Sequence, residues 1–346
     1  MSSRPDPAAV PRKSIRKSQS VTVHDVARLA GVSAMTVSRA VNTPDKLPPR
    51  TLAVVREAIA KVGYVPNLLA GGLRSNKSRL VAAVVPTLIS PVFSETIQML
   101  TAALRQSGYQ LMLGQSGYAD AGEDDLIDAI IGRRPDGIIL TGVVHTPSAR
   151  VKLISSGIPV VEIWDQTPEP IDMLVGFSHI AVSQAVCAYF NARGKKTLAM
   201  VGGNDERAKR RSQSFIEAAE GLGLHPPELF EVAAPTTLGS GRTALRSLLQ
   251  RHPGIDAIFC SSDMLALGVL TEAQALGVRV PDDLGVMGFG DLSFARDLQP
   301  ALTTVRIDGS RIGLEAARFI VERAERRDDH RHILDVGFEI VERDSV

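Results

Sequence analysis

Polar, charged and aromatic side chains recur at one kind of position in this chain, directly after or at the end of short apolar runs. Ser90 and Phe93 follow Leu80–Val85, and His145 follows Gly137–Thr141. Glu162, Trp164 and Asp165 close the run Val160–Trp164, and Phe177 ends Met173–Phe177. Arg207 and Arg211 follow Thr197–Val201, Ser262 follows Ala257–Cys260, and Phe289 and Asp291 close Leu284–Phe289. Carboxylates, guanidiniums, hydroxyls and rings in such a set suit recognition of a small polar molecule. Catalysis has no comparable support. There is no Gly-x-Ser-x-Gly, no metal-ligand spacing and no Gly-Lys-Ser/Thr phosphate loop; Gly239-Ser-Gly241-Arg-Thr lacks the lysine and Gly288-Phe-Gly290 lacks a third glycine. No enzyme, cofactor or metal is expected, and His330 and His332 sit among charges as a surface loop.

Plainer readings stand beside several of these residues. Asp263 reads as a helix N-cap before it reads as a ligand contact, and Asp291 reads equally as the brace of a turn. Trp164 fits core and pocket wall alike. Lys209, Arg210 and Arg211 form a charge run, and such runs are usually solvated.

The elements that position these groups alternate. Strands are expected at Leu80–Val85, Tyr109–Gln115, Gly137–Thr141, Val160–Trp164, Met173–Phe177, Thr197–Val201, Ala257–Cys260, Leu284–Phe289 and Leu302–Ile307, with helical stretches between them. Most are continuous apolar runs, the mark of strands covered on both faces in parallel sheets. Nine strands are many for one doubly wound sheet, so an α/β body of two lobes is expected. Ligands in such sheets bind beyond the carboxyl ends of the strands.

The segment before this body follows a different, all-α pattern. Thr22 and Asp25 fit a capping box, and Val23, Val26, Ala27 and Ala30 form one apolar face, stopped by Gly31. Ser33 caps a second helix whose Val37 and Val41 point inward. Met35, Arg39 and Asn42 lie opposite, flanked by Thr36 and Ser38. A third helix follows Pro48-Pro49, with Leu52, Val55, Ile59 and Val62 as its inward stripe and Gly63 at its end. Two short helices joined by a glycine turn form a helix-turn-helix, whose second helix enters the major groove of DNA amino-end first. Ala34 and Met35 would then meet base edges, and Thr22, Ser33, Thr36, Ser38, Arg39 and Asn42 would contact phosphates or bases.

Charge supports a polyanionic partner at this end. Residues 1–79 hold 14 Lys and Arg against 4 Asp and Glu, a net of +10, while the rest hold 25 against 34, a net of −9. Residues 1–20, rich in Ser, Pro, Arg and Lys, are expected to be a disordered basic extension. No apolar stretch follows their charges and none approaches a membrane span, so neither export nor membrane insertion is expected. Cys187 and Cys260 are far apart in apolar runs, as buried thiols of a cytoplasmic protein would be. These features place the chain in the cytoplasm, at the nucleoid.

The run Val21-Thr-Val-His-Asp-Val-Ala-Arg-Leu-Ala-Gly-Val-Ser-Ala-Met-Thr-Val-Ser-Arg-Ala-Val-Asn42, continued by Gly63-Tyr-Val-Pro-Asn67, resembles the signature of the lactose-repressor (LacI/GalR) family. The resemblance implies a helix-turn-helix head over 21–65, a hinge over 66–79 and a periplasmic-binding-protein-like sensor over 80–346. It implies three crossovers between lobes, near Phe177–Ser178, Arg306–Ile307 and Ile333–Asp335. The N-lobe is then 80–177 with 307–333, and the C-lobe 178–306 with 334–346. It implies a hinge that folds when two chains meet on the operator, with Leu73 wedging into the minor groove, Ala70 as the close-packing alanine and Asn67 among the DNA-binding residues. Gly71 and Gly72, each about 1 kcal/mol poorer than Ala in a helix, would keep the free hinge unfolded. Pro48 departs from the small polar cap usual at the third helix.

In the sensor, the resemblance implies that Arg211 occupies the family's ligand-binding arginine position and Arg207 a second basic site. It puts Ser262 where Asn is frequent and makes Phe289 an aromatic wall. Gly290 departs from the usual Asp. Losing that acid while keeping both arginines favours an anionic ligand, since a guanidinium grips a carboxylate bidentately. Val-Val-Glu162, Val-Gly-Phe177 and Asp-Glu-Arg207 look most like the gluconate-operon repressors. Gluconate or a related sugar acid is the expected effector, with Arg207 and Arg211 on its carboxylate and His145, Glu162, Asp165 and Ser262 on its hydroxyls. The partners are double-stranded operator DNA, that small molecule and a second copy of the chain; without a leucine heptad tail a homodimer is expected. A neutral sugar or a corepressor on the same fold, or a solute-binding protein, are the alternatives.

Overall fold

Residues 21–65, 77–117, 121–327, 330 and 332–346 are described by the structure, a computed structural model. The hinge residues Asn67, Ala70 and Leu73 lie outside them. The chain divides into two units, residues 1–76 and 77–346.

In the first unit, helices α1 (Val23–Ala30), α2 (Ala34–Asn42) and α3 (Pro49–Val62) pack on one small core. Val26, Val37 and Val55, one from each helix, are its fully buried centre. Asp25 fixes the start of α1, accepting from the Thr22 amide at 3.0 Å and from its hydroxyl at 2.7 Å. Gly31 ends it at φ +65°, a left-handed turn that glycine adopts without strain. Ser33 then caps α2 through the Thr36 amide at 3.1 Å. Pro48 caps α3 with no side-chain bond; the fixed φ of Pro49 suits the first turn instead.

The second unit has two six-stranded sheets. The first runs β11-β5-β4-β3-β1-β2, from β1 (Leu80–Val85), β2 (Gln110–Gln115), β3 (Gly137–Thr141), β4 (Val160–Ile163), β5 (Met173–Gly176) and β11 (Ile333–Asp335), all parallel. The second runs β12-β10-β9-β8-β6-β7, from β6 (Leu198–Gly203), β7 (Glu228–Val232), β8 (Ala257–Cys260), β9 (Gly285–Phe289), β10 (Thr303–Arg306) and β12 (Glu339–Val341). Only β12 in it is antiparallel. Period-two alternation divides each strand between two cores. Val81 and Ala83 join one cluster and Ala82 and Val84 another, so the inner strands are apolar throughout. β7 alternates instead, at a sheet edge, while β11 and β12 are three residues each. These three lie beyond the expected nine.

The chain passes between lobes three times. It leaves the first sheet after β5 and enters α7 (His179–Ala192), packed on α8 (Glu206–Gly221). It returns after β10 into α11 (Gly309–Ala324), packed on α4 (Ser94–Gln106). The third crossing falls between Asp335 and Glu339, later than 333–335, because β11 completes the first sheet beside β5 before β12 joins the second.

The end of β5 meets the loop after β4 at very short range. A Cβ on Gly176 would lie 1.8 Å from the Asp165 carbonyl oxygen. Backbone against backbone has little room to yield. Gly176→Ala should therefore lower unfolding free energy by about 1–3 kcal/mol or more in denaturant titrations; an unchanged midpoint would contradict this packing.

Candidate nucleic-acid interface and ligand pocket

On α2 the face turned from the core carries Met35, 52% exposed, with Ser38, Arg39 and Asn42 also exposed. Ala34 and Thr36 are half-buried, and Ala34 packs against the core. Thr22 is exposed at the start of α1. The Thr36 and Ser33 hydroxyls are 2.9 Å apart, and Asn42 Nδ2 donates to the Ser38 carbonyl at 2.9 Å. Those bonds hold the short polar side chains in place, leaving Met35 and Arg39 as the projecting groups.

In the second unit, a pocket opens between the lobes at the carboxyl ends of both sheets. Ser90 and Phe93 reach it from the loop after β1, and Trp164 from the end of β4. From the other lobe come Arg207 and Arg211 of α8, Ser262 after β8 and Phe289 of β9. Trp164 and Phe93 meet edge to face, with ring centres 5.3 Å apart. Arg207 lies over the Phe93 ring at 5.5 Å, and Arg211 over Phe289 at 4.6 Å. Trp164 Nε1 donates to Thr96 Oγ1 at 3.1 Å, and Thr96 in turn donates to the Gly309 carbonyl at 2.9 Å, fixing the indole to the second crossover.

The pocket is electrostatically biased toward an anion. The N-termini of α8 and α10 (Asp263–Leu276) point into it, and Ser262, capping α10 through the Leu265 amide at 3.3 Å, lines it. Arg211 is buried, and burial pulls its pKa down to about 10; Asp205 and Asp165 oppose this, and Arg207 adds to it. It is therefore a cation at neutral pH. Its Nε is buried and without a hydrogen-bond partner among the described residues. Burial pushes the Asp205 carboxyl up, but Arg207, Arg211 and the α8 amides outweigh it and leave the pKa lowered. Asp205 is thus ionised, 3.5 Å from Arg207 Nε.

Further lining residues are His179, Asp205, Thr236 and Ser261, with Val92 and Ala234. Ala234 and Thr236 follow β7, whose alternating pattern hides it among runs of continuous apolar residues. Asp205 and Ser261 flank residues already singled out at strand ends. His179 follows Phe177 across the first crossover, and that adjacency is the one signal that marks it.

Other expected contacts fall elsewhere. His145 lies between Glu123, 2.8 Å from Nδ1, and Glu162, 3.3 Å from Nε2 without hydrogen-bond geometry. Glu162 is fully buried and also accepts from the Ile171 amide at 2.6 Å, so neither residue turns to the pocket. Asp165 is buried and held by Arg210 at 2.8 Å; burial raises its pKa against that charge. Phe177 packs behind the wall, edge-on to Trp164 at 6.0 Å and beside Phe289 at 6.0 Å. Asp291 braces the C-lobe side of the interlobe crossings through Arg306 and Arg343, both at 2.7 Å. Asp263 is not the cap of its helix. It follows the cap Ser262 and spends its oxygens on Thr304 and the Leu292 amide, each at 2.6 Å. Arg211 stands apart from the charge run in being buried, whereas Lys209 is exposed.

Comparison with known proteins follows this division of the chain. Residues 22–67 match the family of bacterial regulatory proteins, lacI family, and residues 187–346 match the periplasmic binding protein-like domain. The HTH-type transcriptional regulator GntR of Pseudomonas aeruginosa is 34% identical over 335 residues, 96% of this chain and 98% of its own. The regulator of the same name from Escherichia coli (strain K12) is 30% identical over 323 residues, 93% and 97% of the two chains. The crystal structure of a LacI-family transcriptional regulator from Silicibacter pomeroyi superposes with a TM-score of 0.89 at 30% identity, covering 94% of this chain and 99% of that one.

The His145 cluster has a signature in pH. Burial lowers the imidazole pKa, but the hydrogen bond to Glu123 and the nearby Glu123 and Glu162 carboxylates outweigh it and raise the group from 6.5 to about 9. A raised folded pKa adds stability that is complete below the unfolded value and is lost as pH rises through the folded one. Thermal melts should fall in Tm between pH 6.5 and about 9, and fall less in His145→Gln; equal slopes would remove His145 as the cause.

Proposed function

Because the chain belongs to the LacI family of bacterial regulatory proteins and is a DNA-binding transcriptional regulator rather than an enzyme, we propose that it is a repressor released from a palindromic operator by a sugar acid, gluconate or a close relative, bound between its lobes. The observation that carries the ligand class is Arg211, a buried cation at the pocket with an uncommitted Nε–H. A buried guanidinium has a strong claim on a carboxylate, because both charges are then paired away from water. Arg207 adds to that field and offsets the ionised Asp205 that caps α8 beside it. Gly290 leaves out an acid that would oppose it. Hydroxyls of Ser90, Ser261, Ser262 and Thr236 suit a polyol, and the rings of Phe93, Trp164 and Phe289 suit its carbon faces. The resemblance to gluconate-operon repressors points the same way.

On the DNA side, α2 enters the major groove with Met35 against thymine methyl groups and Arg39 on phosphate or base. Two chains pair with two-fold symmetry and read the two half-sites. The ligand acts by favouring a lobe arrangement that holds DNA poorly, to the extent of its differential affinity.

Two measurements test this. Fluorescence anisotropy on a labelled palindromic genomic fragment should show affinity falling steeply with salt; Arg39→Ala should weaken it and reduce the salt slope by about one. A salt-independent affinity would contradict phosphate-driven binding. In the same assay gluconate should weaken operator binding by about tenfold or more, with glucose and glucitol inert. Arg211→Ala should keep operator binding and lose the response; stronger release by a neutral hexose would overturn the carboxylate assignment.

A further inference from the structure

A hydrogen-bonded relay joins the two lobes across the back of the pocket, beside the Arg210–Asp165 pair, and a histidine is its centre. His179 opens α7 immediately after the first crossover and is 3% exposed. Its Nε2 lies 3.2 Å from the Trp164 carbonyl oxygen in the N-lobe, and its Nδ1 lies 3.0 Å from Arg211 Nη1 in the C-lobe. A carbonyl oxygen only accepts and a guanidinium only donates. The ring must therefore carry its proton on Nε2 and offer a bare Nδ1 to Arg211. The opposite tautomer, or a charged ring, would set N–H against N–H. Burial first, then Arg211, Arg207 and Arg210, hold the ring neutral by driving its pKa well below 6.5, against the pull of the Trp164 carbonyl.

The relay carries a backbone cost. Trp164 has φ +67°, a region that bulky residues avoid at about 1–3 kcal/mol. It persists beside Gly176, whose missing Cβ admits the loop. Phe177 and Phe289 enclose the ring of His179 at 4.6 and 6.4 Å, so it has little freedom to turn.

We propose that His179 is a positioning residue for ligand recognition: a neutral acceptor that aims Arg211 into the pocket and, through the Trp164 carbonyl, ties that arginine to the opposite lobe. The inference rests on the reading that Arg211 holds the ligand's anion. Its consequence is that His179 sets both the affinity and the transfer of ligand binding into lobe movement. An arginine released from this acceptor would turn toward Asp205 and Asp165, the carboxylates already acting on it.

The test uses full-length protein and two substitutions. His179→Phe keeps a ring between Phe177 and Phe289 but makes no hydrogen bond; His179→Gln restores an acceptor and a donor. Calorimetric titration with sodium gluconate, glucitol serving as neutral control, should show binding about tenfold weaker or worse in His179→Phe and largely recovered in His179→Gln. His179→Phe leaves the Trp164 carbonyl and Arg211 without this partner and should also melt below the parent protein, with His179→Gln recovering most of that loss. Unchanged affinity in His179→Phe, or equal loss in both variants, would overturn the proposal, the latter by making packing the cause. If the parent protein binds no gluconate, the ligand assignment fails by itself. The relay is then decided in the ligand-free protein, as it is if His179→Phe does not fold. Ring-nitrogen NMR should find His179 neutral with its proton on Nε2; a proton on Nδ1 would overturn the proposal.

Discussion

A guanidinium taken out of water between two lobes is the constraint around which the pocket is organised. Removing such a charge from solvent costs several kcal/mol unless its surroundings replace the lost water. Around Arg211 the replacement is incomplete. The Phe289 ring, the neutral His179 and the nearby Asp205 each offset part of the cost, and the Nε–H is unmatched among the described residues. A cation held in that condition favours an anion, which pairs both its charge and its free N–H, over a neutral polyol, which can only accept the hydrogen bond. Arg207 and the absence of an acid at Gly290 act in the same direction.

Not every buried charge in the body serves recognition. His145 is paired with Glu123 and Glu162 inside the N-lobe, and Glu272, fully buried, is clamped by Arg242 and Arg246 where α10 meets α9 (Leu238–Arg251). These groups brace helices against their neighbours. The distinction from Arg211 is one of place. Their charged partners lie within one lobe, whereas Arg211 belongs to one lobe, leans on a residue tied to the other and lines the space between them.

Much of this was legible in the residues, and the failures have physical reasons. Inner strands announced themselves because both faces are covered, making Val81–Val85 apolar without a break. β7 did not, because a sheet edge needs one covered face only, and losing β7 meant losing Thr236 from the pocket. The head was readable almost to the residue because caps are local chemistry: Thr22, Asp25, Gly31 and Ser33 act within a few positions of themselves. Pocket membership is not local. Glu162 and Ser262 both stand at strand ends, but Glu162 is consumed by His145 and the Ile171 amide while Ser262 faces the gap. That difference depends on residues distant in the chain. His179 was hidden for the same reason, since its two partners lie 15 positions before it and 32 after it.

The central claim is that the buried arginine between the lobes is the receptor for the ligand's charge. A crystal structure of the full-length protein grown with gluconate tests it most directly. The account predicts carboxylate oxygens within about 3 Å of the Arg211 guanidinium, the distance of a charge-assisted hydrogen bond, with the polyol running toward Ser90 and Ser262. A carboxylate directed to solvent, with Arg211 still turned only to His179 and Asp205, would contradict it.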